Sequence, residues 1–351
     1  MLSMSRLKLV KKFICEHLVQ LEKGLENMGR QIADFPLNQL KVYQPKLIHK
    51  PSDFGEFWVE QQQQINSLQP KVSIDWKEYV IPTMEVADLL FVSWDGTPLK
   101  GWAIKPKGVD QCPVMLSIHG YTGSRGLPLD YVKWVSMGIA VYAFDVRAQG
   151  SSPDYAKYNN GGRTLGWMLN GIHEPENYYY TNVYKDLLFQ LNWIRSSETP
   201  IEPTRIGLLG SSQGGGLALG LAGLDQGVEL VVADYPFLAN FERAIEISQA
   251  GPYLEFVNYF KYTDPQYETY ESVMQTLGYI DCVHFCDSII CPTLISIGLE
   301  DPVTPPSTVF AAYNHLRTSN KEIEIYPQYA HEVNPFHEEK KLEFVRKNWL
   351  E

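Results

Sequence analysis

The stretch Thr204–Leu224, TRIGLLGSSQGGGLALGLAGL, constrains the fold more than any other part of the chain. It reads as strand, turn and helix: an apolar run from Ile206 to Leu209, a glycine-rich turn, and small residues from Gly215 to Leu224 that can pack closely on the strand. The turn, Gly210-Ser211-Ser212-Gln213-Gly214, has the pattern G-x-S-x-G, in which a tight bend holds a serine in a strained conformation at the C-terminal end of a strand. A side chain at either glycine would collide with the neighbouring strand or helix. Ser212 is therefore the candidate nucleophile. A glycine-rich turn that binds a phosphate, or merely packs, is the alternative reading of the pattern alone, and the flanking strand and helix argue against it.

Further apolar runs at Val114–Ile118, Ile139–Phe144, Arg205–Leu209, Val228–Ala233, Thr293–Ile297 and Glu322–Tyr326 read as strands, with a helical stretch around Tyr131–Met137 between the first two. Alternating strands and helices predict an α/β fold with a mostly parallel central sheet and helices on both faces. Residues 85 to 105 add a hairpin around the Asp95-Gly96 turn, and the sheet is expected to start there. Ahead of it, Phe54, Phe57 and Trp58 begin a helix that continues through the glutamine run, forming a clasp around the core. The stretches 151 to 180 and 236 to 286 are too long for simple connections; the second is aromatic and helical, and both are placed to shape a substrate site or an oligomer contact.

A serine hydroxyl is a poor nucleophile at neutral pH and needs a base, which in turn needs an acid to orient it. Behind an elbow the chain order is serine, acid, histidine. The strand ending at Gly298 leads into Glu300-Asp301, and the strand ending at Tyr326 leads into Ala330-His331-Glu332. His331 is the expected base and Asp301 the expected acid, with Glu300 the rival acid and His284, His315 and His337 the rival bases. The oxyanion of acyl transfer needs two aimed N–H donors. Gln213, directly after the nucleophile, supplies one; the loop HGYTGSRG, after the strand ending at Ile118, supplies the other through the Tyr121 backbone.

Composition narrows the partners. With 351 residues, 44% of them hydrophobic, the chain can build one large core or two modest ones. A net charge of −11 argues against nucleic acid or an anionic membrane as partner and suits a neutral substrate. Five cysteines do not make a disulfide framework, and Cys282, Cys286 and Cys291 lack the companions of a zinc site. Buried free thiols in the cytoplasm are expected, with no metal. Residues 1 to 26 carry apolar positions at helical spacing, and the codons of Lys23-Gly24 could resemble a ribosome-binding site ahead of Met28, which would make Met28 the natural start. The expected organisation is an amphipathic extension over 1–30 and a single domain over 31–351, with a helical insertion at 236–286.

The segments HGYTGSRG, DVRAQGSS, NYYYTNVYKD, GSSQGG, GLEDPVTPPSTVFAAYNH and YAHE together resemble the acetyl xylan esterase / cephalosporin C deacetylase family, carbohydrate esterase family 7. The resemblance spans Phe35 to the C-terminus. It implies an α/β-hydrolase fold without a cofactor, and removal of acetyl groups from short xylo-oligosaccharides and related esters such as cephalosporin C. It also implies hexamers, trimers of dimers with active sites facing an interior cavity. One departure stands out: the family's Arg-Gly-Gln is Arg147-Ala148-Gln149 here, so a residue that would tolerate a positive φ is replaced by alanine, while Arg147 and Gln149 keep their expected place supporting the oxyanion loop. A broader lipase-like or short-chain carboxylesterase on the same fold remains a second reading, and a non-catalytic sugar-binding or scaffold protein a third.

Overall fold

A computed structural model describes residues 34–159 and 165–351; the expected extension over 1–30 and the proposed start at Met28 lie outside them. Among the described residues nine strands form one sheet: β1 (Lys71–Lys77), β2 (Met84–Val92), β3 (Pro98–Pro106), β4 (Gln111–Ile118), β5 (Ala140–Phe144), β6 (Glu202–Ser211), β7 (Leu230–Asp234), β8 (Thr293–Gly298) and β9 (Lys321–Tyr326). Their spatial order is β1-β2-β3-β5-β4-β6-β7-β8-β9. The first three strands and the β3–β5 pair are antiparallel, and every pair from β5 through β4 to β9 is parallel.

The apolar runs read as strands because parallel strands bury both faces. Alternate residues part to opposite sides of the sheet. Val114, Leu116, Tyr142, Phe144, Val231 and Ile295 join one hydrophobic cluster, while Met115, Val141, Ala143, Val232 and Leu294 join the other. The helices Tyr179–Ile194, Gln213–Leu224 and Pro306–His315 contribute to the first cluster. Trp134, Phe344 and Trp349 cover the second face. The helix Gln213–Leu224 is buried nearly all round, as its apolar, small-residue sequence requires.

The 85–105 hairpin forms as β2 and β3, with Gly96 at φ 87 and the Thr97 N–H donating to Asp95 Oδ1 at 3.0 Å. The sheet does not start there, however. β1 precedes the hairpin and pairs along its whole length with Val86–Val92 of β2. Its alternation of Val72, Ile74 and Trp76 with polar residues is strand-like, but as an edge strand it lacks the continuous buried run that marks the others. The helix Phe54–Asn66 forms the clasp: Phe57, Trp58 and Ile65 are buried, and the Trp58 indole N–H donates to the Tyr279 carbonyl oxygen at 2.9 Å. The 236–286 segment is helical, with Phe241–Ile247, Leu254–Tyr262 and Tyr270–Ile280 followed by a 3-10 turn from Cys282.

Candidate active site

β6 delivers Ser212 as a steric necessity. A Cβ on Gly210 would overlap the backbone of Gly214, and one on Gly214 would overlap the carbonyl oxygen of Ile118, so the bend closes only with glycine at both positions. Ser212 itself sits at φ 55, ψ −119, a conformation that side chains rarely adopt. Its N–H donates to Asp234 O at 2.9 Å, and its carbonyl accepts from the Phe237 N–H at 2.9 Å, which holds the bend from the neighbouring strand end.

The loops after β8 and β9 bring the other two residues. His331 Nε2 lies 2.9 Å from Ser212 Oγ, and His331 Nδ1 lies 2.8 Å from Asp301 Oδ2. Asp301, rather than its neighbour Glu300, faces the imidazole. Its carboxylate is buried and held by four donors: the N–H groups of Val303 and Thr304 at 2.8 and 2.9 Å, the Thr304 hydroxyl at 2.8 Å, and His331. That anchoring fixes Nδ1 as the donor and leaves Nε2 facing the serine as an acceptor. Tyr235 packs edge-on against the His331 ring at 4.7 Å, and burial pushes its phenol up to about 12. The rival histidines lie elsewhere: His284 and His315 are held by the carbonyl oxygens of Gly278 and Ala311, and His337 by Asp234.

On the opposite side of Ser212 stands the loop after β4. A Cβ on Gly120 would lie 3.7 Å from the Ser212 Cβ, so the Gly120–Tyr121 peptide passes directly beside Ser212. The Tyr121 and Gln213 amide N–H groups donate to no other group among the described residues. His119 supports the loop: the Val146 N–H donates to Nε2 at 2.9 Å, so Nδ1 carries the proton and donates to the Gly120 carbonyl oxygen at 2.7 Å. Burial lowers the His119 pKa, which keeps that ring neutral.

Arg147 and Gln149 lie one layer behind. Gln149 accepts from the Thr122 N–H at 2.9 Å and donates to Gln213 Oε1 and to the Tyr179 hydroxyl, both at 2.9 Å. One amide thus links the two loops that carry the free N–H groups. Arg147 is fully buried, with bidentate bonds to Asp186 at 2.6 and 2.7 Å and further contacts to Asp95 at 2.9 Å and Asp154 at 3.1 Å. Burial opposes its charge, but the three carboxylates outweigh that and raise its pKa above the usual guanidinium range. Ala148 between them sits at φ 58, the strained region that the sequence suggested.

Asp186, Tyr179 and Tyr180 belong to this supporting layer, and reasoning from sequence did not assign them roles. The run NYYYTNVYKD was a signal, since residues 179, 180 and 186 share the buried side of a single helix. Asp234, at the end of β7, was missed too. It accepts from Ser211 Oγ at 3.1 Å, His337 Nε2 at 2.7 Å and Lys341 Nζ at 2.8 Å. Among the described residues no cluster of histidine, cysteine, aspartate or glutamate could hold a metal, and Cys112, Cys282, Cys286 and Cys291 are buried free thiols. No described helix is long and apolar enough to cross a membrane.

Residues 30–348 match the family model for acetyl xylan esterase (AXE1). The chain is 41% identical to an acetyl xylan esterase from Paenibacillus sp. R4, with a TM-score of 0.85 over 90% of this chain and 100% of that one. Against acetyl xylan esterase 1 from Thermoanaerobacterium sp. JW/SL YS485 the identity is 32% and the TM-score 0.83, covering 90% and 99% of the two chains. Acetyl esterase Axe7A of Xylanibacter ruminicola is 26% identical over 79% of this chain, which spans 62% of that protein's length. An elbow between β6 and a buried small-residue helix, with facing loops after β8 and β9, is an α/β-hydrolase arrangement, and the chain belongs to the acetyl xylan esterase family.

Proposed function

We propose that the protein is a serine esterase that removes acetyl groups from small acetylated carbohydrates such as xylo-oligosaccharides, and from related esters such as cephalosporin C. The observation that carries the reading is the unbroken chain of hydrogen-bond contacts from Ser212 Oγ through His331 to Asp301. Ser212 Oγ attacks the acetyl carbonyl carbon as His331 Nε2 takes its proton. The negative charge that develops on the carbonyl oxygen is met by the Tyr121 and Gln213 N–H groups. The tetrahedral intermediate collapses with the proton returning from His331 to the departing sugar oxygen, leaving acetyl-Ser212. Water, deprotonated by His331, then attacks the acetyl carbon, and acetate leaves as Ser212 regains its proton. Asp301 holds the imidazole in the required tautomer, while Arg147 and Gln149 act as positioning residues behind the oxyanion loop. The family resemblance favours a hexamer, which sedimentation of the purified protein would test, and the buried free thiols favour the cytoplasm.

Acetate release from acetylated xylo-oligosaccharides and from cephalosporin C, compared between the wild type and Ser212→Ala, is the direct test. Release that disappears with the serine hydroxyl is expected; undiminished turnover in Ser212→Ala would overturn the assignment of the nucleophile. Hydrolysis of p-nitrophenyl esters separates the deacetylase from a broader carboxylesterase: rates are expected to fall beyond the shortest acyl chains, and rates that rise with chain length would favour the broader enzyme.

A further inference from the structure

A carboxylate from the long β7–β8 connection reaches the oxyanion loop without a part in proton transfer. Glu255 lies on the helix Leu254–Tyr262, and its Oε1 accepts from the Tyr121 hydroxyl at 2.5 Å. Its Oε2 accepts from the Met168 N–H at 3.2 Å, and the Trp167 N–H donates to the Tyr121 hydroxyl oxygen at 2.7 Å. A Cβ on Gly166, at φ 77, would collide with both the Glu255 carboxylate and the Tyr121 hydroxyl, so the backbone there is drawn tightly onto the pair. Three segments far apart in sequence therefore meet at one phenol oxygen. The Tyr121 ring is enclosed as well, edge-on to Trp167 at 4.8 Å and to Phe237 at 6.3 Å.

Among the described residues Glu255 pairs with no cation. The titratable groups that face it are the hydroxyls of Tyr121, Tyr178 and Tyr180, which burial keeps neutral. Burial pushes the Glu255 carboxyl up to about 7, and hydrogen bonds from Tyr121 and Met168 oppose that only in part. A carboxylate placed this way is costly for the fold, so its contacts call for a use other than simple ion pairing.

The use lies in the peptide that Tyr121 carries. Beyond it, Thr122 sits at φ 60 with its N–H held by Gln149 Oε1 at 2.9 Å, and the Gly123 N–H closes a turn onto Gly120 O at 2.9 Å. With His119 Nδ1 also on the Gly120 carbonyl oxygen, those bonds hold the backbone of the loop, and Glu255 holds the side chain of the residue that carries the N–H. We infer that Glu255 is a positioning residue for deacetylation: by holding the Tyr121 hydroxyl, it fixes the direction in which the Tyr121 N–H points at the developing oxyanion. The inference rests on the catalytic roles of Ser212 and Tyr121 proposed above.

Loss of a whole oxyanion donor costs about 10²–10³ in kcat, so a donor that is merely misaimed should cost roughly 10-fold or more. The experiment measures acetate release by the full-length protein as the wild type, Glu255→Ala, Glu255→Gln, Tyr121→Phe and the Glu255→Ala/Tyr121→Phe double variant, with Ser212→Ala alongside. Thermal unfolding gives the folded fraction of each. For Glu255→Ala and Tyr121→Phe, kcat per folded enzyme is expected to fall at least about 10-fold while KM changes by less than about 3-fold. The double variant should be no slower than the slower single variant, because both changes break one link. Glu255→Gln keeps an oxygen that can accept from the Tyr121 hydroxyl and should recover much of the lost kcat. The inference is overturned if Glu255→Ala keeps the wild-type kcat, if its loss tracks unfolding alone, if Glu255→Gln is as slow as Glu255→Ala, or if the two single losses multiply. Acetate release that survives in Ser212→Ala would instead overturn the catalytic reading itself, whatever Glu255 does.

Discussion

At the scale of single residues, two of the positions that the site holds at positive φ differ in what the strain does. Ser212 at φ 55 is held by bonds from Asp234 and Phe237, and its conformation exposes the hydroxyl to His331. Ala148 at φ 58 has no such role: its methyl group does no chemistry, and its N–H donates to Pro153 O at 3.1 Å whatever the side chain. Ala148→Gly is therefore expected to stabilise the protein by about 1 kcal/mol, read as a higher urea midpoint, with acetate release unchanged. An unchanged or lower midpoint would show that the left-handed backbone costs nothing at this position. Asp301→Asn tests the opposite kind of residue, one whose charge matters more than its shape. An amide can donate to Nδ1 and so favour the wrong tautomer, and kcat is expected to fall roughly 10⁴-fold with little change in stability.

At the scale of elements, the elbow depends on how closely a helix can approach a sheet. Gly214 opens the helix Gln213–Leu224 directly over the end of β4. Gly214→Ala would press a methyl group onto the Ile118 carbonyl oxygen, a backbone atom that cannot turn aside. The expected cost is at least about 3 kcal/mol, with loss of activity in whatever folds, and a cooperative unfolding curve close to the wild type would contradict the packing described above. The helix Tyr179–Ile194 works through charge instead. It carries Asp186 to Arg147, and Arg147 also draws in Asp95 from the β2–β3 turn and Asp154 from the segment after β5. Arg147→Met would leave three carboxylates around an empty centre, costing about 3–5 kcal/mol in a urea titration.

At the scale of the whole molecule, Asp234 joins the sheet to the C-terminal helix. Ser211 of β6, Ser296 of β8, and His337 and Lys341 of the helix Pro335–Val345 all bond its carboxylate. Burial opposes ionisation there, but Lys341 and His337 outweigh it and hold the pKa well below the usual carboxylate range. A carboxyl whose folded pKa lies below its unfolded value contributes stability above about pH 4, and that contribution is lost as the pH falls toward the folded value. Asp234→Asn should therefore cost about 3–5 kcal/mol at pH 7, with the gap to the wild type narrowing below about pH 4. A gap of constant size across that range would show that Asp234 acts through its shape and not its charge.

The sequence by itself determined the elements and the elbow, because both rest on short-range physics. Side-chain sterics within five residues demand Gly210, while the demand for Gly214 comes from the Ile118 carbonyl oxygen on β4; burial of both sheet faces writes continuous apolar runs into β4 to β8. Chain order after the elbow pointed to His331 as the expected base and to Asp301, ahead of its rival Glu300, as the expected acid. The contact itself, Asp301 Oδ2 at 2.8 Å from His331 Nδ1, depends on how β8 and β9 pair and where their loops turn. The tertiary structure alone placed β1 at the sheet's edge, Asp186 against Arg147, Asp234 beneath the elbow and Glu255 on Tyr121. The last three are contacts between residues 23 to 134 positions apart, and no local periodicity or turn chemistry encodes them. They follow from the register of the sheet and from the helices that its crossovers carry across each face.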